Sequence, residues 1–510
     1  MLAKVTSVGV LGIDAYPIEV ECNVAHGLRA TVIVGLPDAA VKESVERVQA
    51  AVVNCQYRWP HGRITINLAP ADTRKEGPAY DLPIAVGLLA ANEQIDAHRL
   101  GDFAMVGELA LDGAVRPVKG VLPMAMAIRA AGLPGFIVPD ANAAEAAVVE
   151  GLKVYPVRAL SDAVGLVTDR AILEPKQVDV SALFAHTGQY DIDFADVKGQ
   201  EHAKRALVVA AAGHHNVLMI GPPGSGKTML AQRLPTIMPP LTLEEALEAT
   251  KIYSVAGELR PGQSLIAVRP FRDPHHTTSD AALIGGGSYP RPGHVSLAHK
   301  GVLFLDELPE FKRSALETLR QPIENGTILI SRALMNVEFP AEIMVIASMN
   351  PCPCGYRGDP KRECLCSYAQ IARYMSRVSG PLLDRIDIHV EVPRVAYRDL
   401  RDRREGEGST RMREQVIAAG ERQHARFADS RTKSNARMTN RQINKWCQLG
   451  ADTEAIIEQA MTQHAFSARS YTRILKVART IADLAGSDQL HLEHVTEAIQ
   501  YRSAERHHWR

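Results

Sequence analysis

Short apolar runs bounded by turn residues alternate with stretches of helical periodicity along the first four fifths of the chain. This alternation predicts an α/β protein built from more than one domain. Residues 30–34 and 64–68 are β-branched runs and predict strands. Asp38 supplies an N-cap oxygen ahead of Val41, Val45, Val48 and Val52, which recur at helical spacing. Further helices are predicted over about 82–91, 121–131 and 202–212. Uninterrupted apolar runs at 217–220 and 302–305, and a third strand over 343–348 that ends in Ser348, predict buried strands. Two short strands around Ser331-Arg332-Ala333 predict a hairpin. From about 396 onward the pattern is helical, with Tyr471, Ile474, Leu475, Ala478 and Ile481 forming one apolar stripe and a last helix over about 492–502.

Residues 171–191 lack sustained periodicity, and Glu174-Pro175 with Thr187-Gly188-Gln189-Tyr190 marks a linker. The predicted division is therefore 1–170 for an N-terminal α/β domain and 171–191 for the linker. An α/β core over 192–395 and a helical domain over 396–510 complete it.

Composition narrows the class. The chain has 510 residues and a formal net charge of zero, so contact with a polyanion must come from a local patch or a pore. Arg398, Arg401, Arg403, Arg404, Arg411, Arg413, Arg422, Arg426, Arg431 and Arg437 supply one such excess, although Glu405, Glu407 and Glu414 are interspersed. No apolar run approaches the roughly 18–20 residues of a membrane span, which predicts no membrane partner. The first residues lack an apolar signal core, and a cytoplasmic location is expected.

The chemistry centres on Gly221-Pro222-Pro223-Gly224-Ser225-Gly226-Lys227-Thr228, which fits the phosphate-binding pattern G-x-x-x-x-G-K-[ST] between a strand and a helix. Backbone amides of the loop and the helix start would surround phosphates. Lys227 would reach the β- and γ-phosphates of ATP, and Thr228 would hold Mg²⁺. The run Val302–Leu305 ends in Asp306 and Glu307. Asp306 would order Mg²⁺ through water, and Glu307 would polarise the attacking water. Cys352, Cys354, Cys364 and Cys366 form a C-x-C…C-x-C group able to hold a structural Zn²⁺. Between the two nucleotide motifs lie His275 and His276, then Gly285-Gly286-Gly287. The histidines either contact DNA or organise the loop.

Several segments resemble AAA+ ATPases. Residues 197–200 resemble the segment that lies against adenine. Asn350, after the third apolar run, resembles the sensor-1 amide that holds the lytic water. The hairpin before it resembles that of the clade with MCM helicases and magnesium chelatases, where Arg332 would face a phosphate backbone in a ring pore or remain a solvated arginine. Arg385, in Leu382-Leu383-Asp384-Arg385-Ile386-Asp387, resembles an arginine finger serving the neighbouring subunit; an ion pair to Asp384 or Asp387 is its alternative. Arg469, in Ser467-Ala468-Arg469, resembles the sensor-2 arginine of the lid, with Arg473 as the other candidate register.

In the N-terminal domain, Gly77-Pro78-Ala79 and residues 107–113 resemble the active-site segments of the Lon protease domain. The nucleophile position is Ala79 and the lysine position falls at Leu122, so a Ser–Lys dyad is not available. The domain is read as Lon-like and kept for assembly or DNA contact, or as a plain packing domain. This order of segments, with Pro274-His275-His276-Thr277 and Asn350-Pro351-Cys352-Pro353-Cys354-Gly355, resembles the ComM/YifB group of magnesium-chelatase-like AAA+ ATPases over essentially the whole chain. The resemblance implies a hexameric, ATP-driven motor that acts on single-stranded or branched DNA and promotes branch migration in natural transformation. A chelatase-type motor and a protein-remodelling ATPase are the alternatives it leaves.

Overall fold

The computed structural model describes residues 1–96, 98–185, 190–287, 289–332, 335–359, 361–400 and 406–509. The chain divides into two units. One comprises Met1–Ala185 with Leu243–Ala267, the other His186–Thr242 with Val268–Arg510.

The first unit contains β1 (Leu2–Leu11), β2 (Asp14–Ala25), β3 (Ala30–Val34), β4 (Arg63–Ala69), β5 (Phe103–Met105), β6 (Glu108–Leu109), β7 (Val115–Arg116), β8 (Gly135–Pro139) and β9 (Lys153–Val157). Seven of them form one mixed sheet in the order β3-β4-β2-β1-β5-β8-β9. The β1–β2 and β2–β4 pairs are antiparallel, and the other neighbours run parallel. Asp38 caps the helix Ala39–Asn54 by accepting from the Val41 amide at 2.7 Å. Val41, Val48 and Val52 of that helix are buried. The helix Asp81–Ala91 is buried at every residue, which accounts for its lack of a polar face.

Ala79 and Leu122 both lie in this interior, and neither offers a hydroxyl or an amine. The Leu122 amide donates to buried Glu145 at 2.9 Å, and the Ser254 hydroxyl donates to the same carboxylate. Lys119 Nζ donates to the Ala256 carbonyl at 3.3 Å. Ser254 and Ala256 belong to the helix Leu243–Ala256, which the sequence pattern places in the 192–395 core. Its partners assign it to the first unit instead, because periodicity reports that a helix has an apolar face and not which core receives that face. Within 171–191, residues Val180–Ala185 form a short helix. His186, Thr187, Gly188 and Gln189 of the linker lie outside the described residues.

The second unit holds β10 (Val217–Ile220), β11 (Phe271–Arg272), β12 (Gly285–Gly286), β13 (Arg291–Pro292), β14 (Val302–Leu305), β15 (Thr327–Arg332), β16 (Met335–Pro340), β17 (Met344–Met349) and β18 (Ile388–Glu391). Its main sheet is all parallel in the order β11-β14-β17-β10-β18. Such a sheet is covered on both faces, so its strands read as unbroken apolar runs. Each residue of β10 and β14 is indeed buried. The strand order reverses at β10, whose neighbours β17 and β18 both follow it in the chain. Open parallel sheets bind ligands beyond the carboxyl ends of strands at such a switch point.

β15 and β16 form the expected antiparallel hairpin, with Thr327 opposite Pro340. Ala333 and Leu334 lie outside the described residues. The helical region packs on the same core as the sheet. Ser467 caps the helix Ala468–Leu484, which buries Ile474, Leu475, Ala478 and Ile481.

Candidate active site

The carboxyl ends of β10, β14 and β17 bring the nucleotide motifs together. Gly221 follows β10 so closely that a Cβ there would lie 2.1 Å from the Val392 carbonyl oxygen. Only glycine permits that approach. Gly224 and Gly226 have φ of +73° and +93°, and a Cβ on either would meet nothing within 4 Å. The loop therefore presents open backbone where a phosphate would sit, and the helix Lys227–Ile237 starts directly behind it. Ser225 Oγ is buried and has no hydrogen-bond partner among the described residues. Gln200, from the segment read as lying against adenine, donates to the Ser225 carbonyl at 3.2 Å and so ties that segment to the loop.

Lys227 Nζ donates to the Gly221 carbonyl at 2.7 Å, to Pro222 O at 3.1 Å and to Asn350 Oδ1 at 3.3 Å. Burial pushes its ammonium below the usual lysine range, against the opposing charges of Asp306 and Glu307. Thr228 Oγ1 donates to Asp306 Oδ2 at 3.0 Å, and the Ser348 hydroxyl donates to the other oxygen of that carboxylate. Ser348 orients Asp306 from the neighbouring strand; nothing in its sequence context marks it, because only the β14–β17 register brings the two together. A hydroxyl beside a carboxylate at a phosphate loop is a donor set that suits Mg²⁺. Glu307 follows at the end of β14 with its side chain about half exposed, 3.5 Å from His276 Nδ1. The fold sets His276, a candidate for DNA contact, against Glu307, the candidate general base.

The four cysteines converge immediately after Asn350. All four sulfurs lie within 4.8 Å of one another, and none forms a disulfide. Cys352 Sγ is 3.4 Å from Cys354 Sγ and 3.6 Å from Cys364 Sγ. Four thiolates on bonds of about 2.3 Å to one Zn²⁺ sit at comparable separations. Burial pushes the Cys354 thiol up, but the Tyr356 amide and the adjoining thiols outweigh it and bring it down to about 6. The Arg357 amide donates to Cys352 Sγ at 3.4 Å, the kind of outer contact that orients a metal-binding sulfur. Gly355 of this loop packs on Pro223 of the phosphate loop, where a Cβ would come within 2.5 Å of Pro223 Cδ.

The arginines fall in different settings. Arg385 is buried, 2.6 Å from Glu324 Oε1, and donates to the Pro381 carbonyl at 2.7 Å. Its partner is thus Glu324, rather than Asp384 or Asp387. Asp387 instead pairs with Arg473 and accepts from the Asn216 amide at 2.9 Å. Arg473 is committed to that pair, whereas Arg469 stands exposed at the start of its helix. Arg332 is exposed at the end of β15, and its Nε donates to the Gly287 carbonyl at 3.1 Å.

Much of the arginine-rich region is internally paired. Arg413 donates to Thr236 O and Arg437 to Glu324 O. Arg422 meets Asp488, Arg426 meets Asp483, and Arg411 lies 3.4 Å from Glu407. These residues hold the helices in place and leave less free positive charge than the sequence count implies. Arg401, Arg403, Arg404 and Glu405 lie outside the described residues. Among the described residues, no helix is long and apolar enough to cross a membrane.

Comparison with known proteins agrees with this architecture. A family model described as magnesium chelatase, subunit ChlI, matches residues 193–400. A model for subunit ChlI of Mg-chelatase matches 20–142, and one for the ChlI C-terminal region matches 406–502. The protein YifB of Salmonella typhimurium is 44% identical over 99% of this chain and 98% of its own length. Competence protein ComM of Haemophilus influenzae is 44% identical over 98% of this chain and 97% of its own. The magnesium-chelatase 67 kDa subunit of Chlorobaculum parvum is 27% identical over 31% of this chain and 23% of its own. The chain belongs to the ComM/YifB family of magnesium-chelatase-like AAA+ proteins.

Proposed function

We propose that this protein hydrolyses ATP at the ends of β10, β14 and β17, and that an assembled hexameric ring uses the hydrolysis to drive branch migration of DNA in transformation and recombination. The observation that carries the ATPase reading is the convergence of Lys227, Thr228, Asp306, Glu307 and Asn350 from three separate segments at one open glycine loop.

The loop amides and Lys227 bind and orient the β- and γ-phosphates. Thr228 and, through water, Asp306 would hold Mg²⁺, which would supply neutralising charge on those phosphates. Asn350 orients the attacking water. Glu307 accepts a proton from that water as its oxygen attacks the γ-phosphorus and the bond to the β-phosphate oxygen breaks. Arg469, exposed at the start of its helix, would meet phosphate charge as the lid arginine. Arg385 serves a neighbouring subunit only where its pair with Glu324 opens on assembly. The four cysteines would hold Zn²⁺, which would staple the loop after Asn350 where Gly355 packs on Pro223.

DNA as the track is supported by the full-length similarity to competence protein ComM and by the exposed Arg332 at the hairpin end. A cytoplasmic location accords with that substrate. The partial similarity to a magnesium-chelatase subunit supports the second reading, a chelatase-type motor. ATP turnover measured with single-stranded, duplex and four-way-junction DNA separates them. Stimulation by DNA is expected. Turnover that no DNA changes would favour the chelatase-type reading.

A further inference from the structure

The two edges of the seven-stranded sheet differ. At one, β9 presents Lys153 to solvent, carries Pro156, and gives its Val154 carbonyl to the Lys176 amide at 2.8 Å. Charge, proline and a covering segment are the usual means of closing a strand edge to further pairing. The other edge, β3, has none of them. Among the described residues no strand lies beyond it, and its sequence is Ala-Thr-Val-Ile-Val. Thr31 and Ile33 are half-buried, and Ile33 packs on the core. Ala30, Val32 and Val34 face outward, with Val32 39% and Val34 40% exposed.

This apolar stripe runs past both ends of the strand. Leu28 is 92% exposed and Leu36 55%. Leu36 also has φ of +58°, a conformation that a bulky side chain rarely adopts. Its carbonyl accepts from the Lys75 amide at 3.1 Å, and the Asp38 amide donates to the Lys75 carbonyl at 3.0 Å, so the turn is held. A single chain gains nothing from a leucine strained outward into water. Beside the stripe, β4 offers Arg63, Thr65 and Asn67 at the positions opposite Ala30, Val32 and Val34, so the apolar face is confined to the edge. Exposed apolar residues scattered singly are ordinary, whereas five in sequence along one edge mark a contact surface.

The two ends of the stripe differ in charge. Before β3 stand His26 and Arg29, beside His61 and Arg63, and all four are exposed. Arg29 Nη2 lies 2.7 Å from His61 Nδ1, and among the described residues no carboxylate pairs with Arg29 or Arg63. After β3 comes Asp38, and the loop that bridges to this segment at Pro37 and Lys75 carries the exposed Asp72. Turned antiparallel about Val32, the stripe matches itself. Leu28 falls opposite Leu36, Ala30 opposite Val34 and Val32 opposite Val32, and the cationic end meets the carboxylate end.

We propose that β3 is a pairing edge for a second copy of this chain, joined antiparallel about a two-fold axis at Val32. Backbone groups on the open side of β3 then extend the sheet from one copy into the other. Such a contact presents the same patch from both chains, whereas a ring contact uses two different patches. The pairing is therefore separate from the proposed ring and independent of the ATPase reading.

The test is disulfide trapping in the purified full chain. A residue on a two-fold axis meets its own copy, so Val32→Cys should cross-link to itself under copper phenanthroline and air. Its dimer band on a non-reducing gel should exceed that of Val53→Cys about fivefold or more, because a held pair has a high effective concentration. Val53 is an exposed apolar residue on the helix Ala39–Asn54 rather than on the edge, and its variant measures chance collision. Val32→Lys should reduce the largest species in sedimentation velocity to about half the wild-type mass. Its thermal midpoint should stay within about 2 °C of wild type, since the side chain is already partly in water. Cross-linking of Val32→Cys no stronger than that of Val53→Cys overturns the two-fold contact, and so does a Val32→Lys chain of wild-type mass. Val32→Cys that links to a different protein in cell extract and never to itself also overturns it, and gives the edge to another partner.

Discussion

Removing the Asp387 carboxylate should destabilise the second unit and leave the first unit unchanged. Asp387 is 2% exposed at the entry to β18. Its carboxylate pairs with Arg473 from the helix Ala468–Leu484, accepts from the Asn216 amide that leads into β10, and lies 3.7 Å from His215 Nδ1. Asp387→Ala strands that amide and a mostly buried guanidinium. Breaking a buried pair in this way costs about 3–5 kcal/mol. At about 2 °C per kcal/mol for a large unit, the thermal midpoint of the second unit should fall by about 6–10 °C. Scanning calorimetry of the full chain reads both units in one experiment.

Protonation offers a second handle on Asp387. Burial alone would raise this carboxyl, but the charge of Arg473, with His215 and the Asn216 amide, outweighs it and holds the group well below the usual carboxylate range. A depressed carboxylate contributes stability above its unfolded value, near about 3.9, and loses it as pH falls toward the folded one. The gap between wild type and Asp387→Asn should therefore narrow below about pH 4. A midpoint shift under about 2 °C for Asp387→Ala, or an equal shift in both units, refutes this account of the pair.

The remaining predictions concern the site. Glu307→Gln should retain ATP in an equilibrium binding assay while its kcat drops about 10²–10⁴-fold; unchanged turnover would remove Glu307 from the mechanism. Arg385→Ala should lower turnover about 10³-fold or more if the guanidinium acts across subunits. Mixing it with Glu307→Gln subunits should then restore part of the rate, and a mixture as inactive as its components would assign Arg385 to its internal pair with Glu324. Chelation of the four-cysteine site should release about one zinc per chain by elemental analysis and raise the KM for ATP, because Gly355 would no longer be held on Pro223. Zinc-free protein with unaltered KM would detach the two loops.

Local signals were legible where one segment carries the whole message. The glycine loop, the Asp306-Glu307 strand end and the cysteine spacing each suggest a chemistry within a few residues, and the fold brings the four cysteine sulfurs together as that spacing expects. The apolar runs before them give β10 and β14 to the residue, because strands covered on both faces carry no polar position. What stayed hidden depends on tertiary pairing. Glu324 as the partner of Arg385 lies 61 positions away in the chain and has no spacing rule to announce it. Ser348 meets Asp306 only through strand register. The helix Leu243–Ala256 has an apolar face that either core would accept, and only contacts such as Ser254 with Glu145 decide between them. The arginine-rich region misleads for a related reason: composition counts charges, whereas Arg413, Arg422, Arg426 and Arg437 are spent on internal contacts.

The central claim is that ATP turnover in this loop performs work on DNA. It is tested most directly by following a labelled four-way junction with wild-type protein and with Lys227→Ala, at matched concentrations, with Mg²⁺ and ATP present. The account predicts that wild type converts the junction to branch-migrated products only while ATP is hydrolysed, and that Lys227→Ala leaves it intact. Vigorous ATP hydrolysis by wild type with the junction untouched, or equal conversion by Lys227→Ala, would contradict it.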